Sequence, residues 1–178
     1  MCVRRRVVCV ALLSVVAGLS SCGIPQATGK ILKVIGNPDI PVGDATDQPS
    51  TIDMMIFEER GANRGDDGQP LPIDVWVFQL SDDGQFMQSD FESLTMDPKG
   101  TLKSTYVDMT QVQVTPDQSK PIENIELKKN TTFIGIVGGY VNYRDVNWRT
   151  TVQVNAKGET YQLFTAITPT KIITNLHR

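Results

Sequence analysis

A chain of 178 residues with 40% apolar side chains is long enough for one packed domain and too apolar to be disordered throughout. It holds 17 Lys and Arg, 20 Asp and Glu, one His and three Cys, and the charge is uneven: residues 1–21 carry Arg4, Arg5 and Arg6 and no acid, which leaves residues 22–178 with 14 bases against 20 acids, a net charge of −6. An acidic body argues against nucleic-acid binding, and one histidine builds neither a multi-histidine metal site nor a proton relay, so most catalytic constellations are excluded.

Met1–Arg6 is a short basic stretch, Val7–Leu19 an apolar run of 13 residues, and Ser20, Ser21 and Cys22 are small. That order is a secretory signal over residues 1–21, too short for the ~20 residues of a bilayer-spanning helix. Leu19-Ser20-Ser21-Cys22 resembles the bacterial lipobox, which implies cleavage before Cys22 and acylation of Cys22. Several acyl chains, at ~0.8 kcal/mol per buried CH₂, hold a domain on a membrane almost irreversibly. Gly23, rather than Asp, follows the cysteine, which by the same resemblance implies the periplasmic face of the outer membrane. A plain secreted protein with a free Cys22 is the alternative.

Residues 22–49 read as a lipidated N-terminus and a tether, since Pro25, Pro38, Pro41, Pro49, Gly29, Gly36 and Gly43 oppose regular structure. Such a flexible chain spans ~28 Å on average and up to roughly 90 Å extended. The apolar patch Ile31–Ile35 leaves open an edge strand over Lys30–Ile35.

Residues 50–178 read as a β-sandwich domain. Ile52, Met54 and Ile56 alternate with Asp53, Met55 and Phe57, the pattern of a half-buried strand. Residues 59–72 are polar and rich in Gly and Pro. Ile73–Leu80 alternates Ile73, Val75 and Val77 with Asp74, Trp76 and Phe78, and a turn follows at Ser81–Gly84. Ser89-Asp90-Phe91-Glu92 has the form of a capping box with Ser89 as the cap, and Asp97-Pro98 that of a second cap with proline at the first helical position. Leu102 and Tyr106 share a helical face. Two short helices are therefore expected between Ser89 and Tyr106, packed on one end of the sheet region. Strand signals return at Met109–Val114, Ile122–Leu127, Thr132–Val141, Trp148–Val154, Leu163–Ile167 and Lys171–Leu176, with Gly138-Gly139 marking a bulge or a close backbone approach. Six to eight short strands with one helical excursion make a mainly β, two-sheet sandwich.

No catalytic constellation stands out. His177 is penultimate, Asp66-Asp67 and Asp82-Asp83 sit in turns, and Gly65-Asp66-Asp67-Gly68 lacks the spacing of a calcium loop. Trp76 and Trp148 suit either core packing or a sugar site. The outstanding feature is the Arg60–Leu71 loop, since hairpin connections need about two to five residues and long loops on β scaffolds carry function disproportionately. Its Arg60, Asn63, Arg64, Asp66 and Asp67 suit recognition of another protein.

These residues, taken in order, resemble the TssJ family of type VI secretion outer-membrane lipoproteins. The match consists of the lipobox, the Pro-rich tether, a loop ending in Pro70-Leu71-Pro72, and the strand ending Phe78-Gln79-Leu80. It continues with Phe86 before Ser89-Asp90-Phe91 and Leu94, with Thr132–Val137, and with Trp148-Arg149. The resemblance spans roughly residues 19–155. It implies a transthyretin-like β-sandwich with a small inserted helical element. It also implies a non-enzymatic role without cofactor, metal or small-molecule substrate. The lipid on Cys22 would hold the domain at the outer membrane. The domain would bind the periplasmic part of TssM and, through the membrane complex, be joined to TssL. The loop positions implied in TssM binding are Asn63, Arg64, Gly65, Asp66, Asp67, Gly68, Gln69 and Pro70. Two other readings stay open. A carrier lipoprotein would need an apolar pocket between the sheets, and a hydrolase would need carboxylates such as Asp74 or Glu126 in one site.

Overall fold

The computed structural model describes residues 45–178. The signal segment, Cys22, the alternative strand over Lys30–Ile35 and the tether up to residue 44 lie outside the described residues.

The strands are β1 (Thr51–Glu58), β2 (Ile73–Leu80), β3 (Tyr106–Val114), β4 (Ser119–Glu126), β5 (Phe133–Gly138), β6 (Arg149–Gln153), β7 (Thr160–Ile167) and β8 (Ile172–His177). They form two four-stranded sheets, in the orders β4-β1-β7-β8 and β3-β2-β5-β6, so the molecule is the expected mainly β, two-sheet sandwich. All neighbours are antiparallel except β1 and β7, which run parallel with Thr51 opposite Thr160 and Glu58 opposite Ile167. The alternation in β1 sends Ile52, Met54 and Ile56 into the inter-sheet core and leaves Met55 and Phe57 exposed. In the facing sheet, Ile73, Val75, Val77, Ile134 and Ile136 meet them. The imperfect alternation of Ile122 and Ile125 has a structural cause. A register shift between Ile52 and Met54 places Ile125 opposite Ile52 and Ile122 opposite Met54, and Asn124 takes a φ of 55°.

β2 is buried on both faces, because a helical insertion covers the outer side of its sheet. The insertion contains α2 (Phe91–Met96) and α3 (Pro98–Leu102), the two short helices expected between Ser89 and Tyr106, and a further one before them, α1 (Gly84–Gln88). Phe86, Leu94 and Leu102 pack on Phe78, Leu80 and Val137, which lie on the sheet's face rather than at its end. Phe86 meets Phe78 edge-on at 5.5 Å between ring centroids. It also lies over Gly135, where a Cβ would come within 2.9 Å of its ring. Capping is displaced by one residue from the expected box. Asp90 caps α2, accepting from the Ser93 amide and hydroxyl, both at 2.8 Å. These bonds hold its carboxyl below the usual range. Ser89 instead closes α1 and donates to the Gln85 carbonyl. The Ser89 hydroxyl is committed to α1, which leaves the Asp90 carboxylate to cap the next helix. Glu92 does not reach back to the cap either. It accepts a hydrogen bond from the Tyr143 hydroxyl. Asp97 does cap α3, accepting from the Gly100 amide. Lys103 then adopts a φ of 51°, the helix stops, and Tyr106 begins β3 instead of completing a helical face.

Trp76 and Trp148 are packing residues, both edge-on to Phe91 at 6.3 and 5.3 Å. Arg149 ties the insertion to β6 by donating to the Phe86 and Ser89 carbonyls, with its guanidinium over Trp148. Truncating the insertion's central ring should be costly. Phe86→Ala should lower unfolding free energy by about 3–5 kcal/mol in a urea titration, as expected for an aromatic side chain deleted from a filled site.

Candidate functional site

β1 and β2 lie in different sheets, so the segment between them is a crossover and not a long hairpin. Facing sheets stand ~10 Å apart, a distance a few residues span. The rest of residues 59–72 folds back on itself. The Arg64–Pro70 pair forms an antiparallel bridge, the Gly65 amide donates to the Gln69 carbonyl at 3.0 Å, and the Leu71 amide donates to the Asn63 carbonyl at 3.0 Å. Within the tip, the Gly68 amide donates to the Gly65 carbonyl and the Gln69 amide to Asp67 Oδ1. Gly68 turns the chain with a φ of 77°. Arg64 lies back along the loop, donating to the Gly68 carbonyl at 2.6 Å, and its guanidinium occupies the space a side chain at Gly61 would fill.

The sequence-derived site residues fall into two groups. Asn63 is 3% exposed. Its Nδ2 donates to the Pro72 carbonyl at 3.0 Å and its Oδ1 accepts from the Val141 amide at 2.9 Å. It therefore anchors the loop to both of its neighbours and offers little surface. Gly65 and Pro70 are half-buried in the ladder. Arg64, Asp66, Asp67, Gly68 and Gln69 are exposed at the tip. Because Arg64 is engaged and Arg60 pairs with Asp117 outside the loop, the exposed carboxylates of Asp66 and Asp67 are the prominent charges there. Leu71 adds exposed apolar area beside them.

The turns 115–118, 139–148 and 168–171 connect strands at the same end of the sandwich as this loop. A cleft of ≈ 150 Å³ lies between it and the last two of these turns, lined by Gly61, Asn63, Arg64, Tyr140, Val146 and Pro169. Gly139 shows the close approach foreseen for the glycine pair. Its amide donates to the Asp74 carbonyl at 2.8 Å, and a Cβ there would meet Trp76 at 3.1 Å.

Glu58, the last residue of β1, was not singled out by sequence. Residues 52, 54, 56 and 58 share the inward parity, and that signal would have found it. Its carboxylate is fully buried, with neither oxygen in a hydrogen bond. Burial pushes its pKa up to about 7; the nearby Ile73 amide holds it down and the Asp117 charge pushes it further up. Burial, then the Glu58 charge, raises the hydroxyl of Tyr140, which donates to the Thr168 carbonyl at 2.9 Å.

Among the described residues, the space between the sheets is filled by side chains including Ile52, Met54, Tyr161 and Leu163, where a carrier would hold ligand. Asp74 accepts from Gln113 on one sheet, and Glu126 pairs with Lys128 at the end of a strand in the other.

The chain begins its described course at the opposite end. Ala45–Asp47 form a 3₁₀ turn, Pro49 bridges to Lys157, and the Gly158 amide donates to the Gln48 carbonyl. The eight residues of β1 separate this end from the loop by roughly 26 Å.

Residues 50–170 match the family model described as type VI secretion lipoprotein, VasD, EvfM, TssJ. No curated protein matches in sequence. Among solved structures, the fold is similar to the type VI lipoprotein TssJ1 from Pseudomonas aeruginosa, at 22% identity and a TM-score of 0.67, covering 73% of this chain and 98% of that one. It is also similar to Serratia marcescens Lip, a membrane-bound component of the type VI secretion system, at 21% identity and a TM-score of 0.62, over 70% of this chain and 96% of that one. A chain of a type VI membrane complex matches at 18% identity and a TM-score of 0.62, over 72% of this chain and 99% of that one.

The two residue groups should separate experimentally. Asn63→Ala strands the Val141 amide and the Pro72 carbonyl and should cost about 1–3 kcal/mol, read as a fall in Tm of several degrees. Asp67→Ala at the exposed tip should leave Tm within a degree or so of wild type, since surface substitutions of this kind stay within about 0.5 kcal/mol.

Proposed function

The chain belongs to the type VI secretion lipoprotein family, and from that premise we propose that it is lipidated on Cys22, anchored to the periplasmic face of the outer membrane, and binds the periplasmic part of TssM. In this reading residues 1–21 are a signal peptide, residues 22–49 carry the lipid and span the distance to the sandwich, and residues 50–178 are the binding domain. The role is structural: fixing the TssJLM membrane complex, with TssL joined indirectly through TssM, to the outer membrane.

The observation that carries the reading is the placement of the folded loop. It projects from the end of the sandwich opposite Ala45, so a chain arriving from a lipid anchor leaves the Arg64–Pro70 tip directed away from its point of arrival. A domain with a tether at one end and a preformed, exposed tip at the other suits bridging between a membrane and a protein partner. Because the tip is hydrogen-bonded to itself, binding would spend little on ordering it. Asp66 and Asp67 favour a basic surface on TssM, through attraction that raises association rates and fixes orientation.

Replacing residues 65–69 by Asn-Gly keeps Asn63 and Leu71 in place. This variant should keep the wild-type circular dichroism spectrum and lose at least tenfold in affinity for the TssM periplasmic domain, about 1.4 kcal/mol. Undiminished binding would remove the loop from the interface. In the same cells, Cys22→Ser should move the protein from the outer-membrane fraction to the soluble periplasm. Continued fractionation with outer membrane would exclude the lipid as its anchor.

A further inference from the structure

We propose that Glu58 is a proton-sensitive latch for the crossover loop: a neutral carboxyl keeps the neck of the loop closed, and ionisation favours states in which the neck opens to water. The proposal rests on the reading of the loop as the partner-binding segment and adds a regulation to it.

The placement of the side chain carries the argument. Glu58 ends the inward row Ile52, Met54, Ile56, Glu58, so its carboxylate enters the inter-sheet core where the loop begins. The loop ends at Ile73, whose amide acts on this carboxylate and favours its charged form, so both ends of the loop meet there. Neither oxygen has a hydrogen-bond partner among the described residues. An ionised carboxylate in such a place loses its hydration with only the Ile73 amide to offset the loss, whereas a neutral carboxyl loses far less.

The surrounding groups make ionisation harder. From the turn between β3 and β4 comes Asp117, whose carboxylate engages Arg60 at the surface. Tyr140 faces it from the segment after β5, with its hydroxyl directed to the Thr168 carbonyl in the turn between β7 and β8. β7 contributes no charge on its inward row; Thr165, on the neighbouring inward position, has a hydroxyl that is itself buried without a partner. From β2 comes only the Ile73 amide. No cation on these elements is placed to compensate Glu58.

The sign follows from proton counting. Closed, Glu58 holds its proton up to about pH 7; open and solvated, it releases it near the ordinary 4.5. The closed form binds more protons across that window, so rising pH favours opening, about tenfold per unit between the two values, with a plateau above.

The test is amide hydrogen exchange on the whole mature chain, residues 22–178, without TssM. The amides of Ala62, Gly65 and Leu71, all bonded within the loop, report opening, and the Leu127 amide, bonded to the Ser50 carbonyl at the far end, serves as reference. After correction for intrinsic exchange, loop protection should fall about twentyfold from pH 5.5 to 7.5 while Leu127 stays constant. Glu58→Gln should abolish the fall. A flat wild-type profile, or the same fall in Glu58→Gln, overturns the proposal. If Glu58→Gln does not fold, a ¹³C titration of the wild-type side-chain carboxyls replaces it. Coincident midpoints for Glu58 and loop protection support the latch, and separate midpoints overturn it. Because TssM is absent, failure here leaves the partner assignment untouched, and failure of TssM binding leaves the latch testable.

Discussion

The placement of β1 governs the rest of the molecule. It runs through the middle of its sheet, antiparallel to β4 on one side and parallel to β7 on the other. A strand flanked on both sides cannot pair with its successor, and β2 starts in the opposite sheet. The connection therefore has to cross the open end of the core. Asn63, bonded to Pro72 and Val141, holds that crossing down, and the surplus residues form the exposed Arg64–Pro70 tip. The length that made the loop conspicuous is thus partly a consequence of topology and partly a separate hydrogen-bonded feature.

The same placement explains the division of the two outer faces. β2 and β5 are the inner strands of the second sheet, and their outward residues Phe78, Leu80 and Val137 are apolar. Such a face requires a cover, and three helices totalling only 16 residues supply it because Phe86, Leu94 and Leu102 each reach a full burial site. Gly135 is the counterpart on the sheet, since its missing side chain makes room for the Phe86 ring. Arg149 then closes the seam by bonding two carbonyls of the insertion from the edge strand.

Most strands were legible because period-two alternation is a local property: Ile52, Met54 and Ile56, or Ile73, Val75 and Val77, state their own parity. Sheet membership was not legible, because pairing β1 with β7 joins residues more than 100 positions apart and leaves no local trace. Helix α1 has only five residues, too short to show a period. The cap moved from Ser89 to Asp90 because adjacent capping residues compete, and the outcome depends on which one the preceding helix consumes. The loop's composition pointed to a surface of recognition, yet the split between buried Asn63 and exposed Asp66 and Asp67 required the contacts of Val141 and Pro72. Glu58 was the most informative residue passed over, since a carboxylate on the buried parity of a strand is visible in sequence alone.

In the proposed reading, the sandwich is a spacer between the lipidated end and the presented tip, a reading that starts from membership of the type VI secretion lipoprotein family. The most direct measurement is photo-crosslinking in living cells from a residue at each end. A crosslinker in place of Asp67 should capture TssM, and one in place of Lys157, beside Pro49, should not. Capture of TssM from position 157 with none from position 67 would contradict the assignment of the two ends.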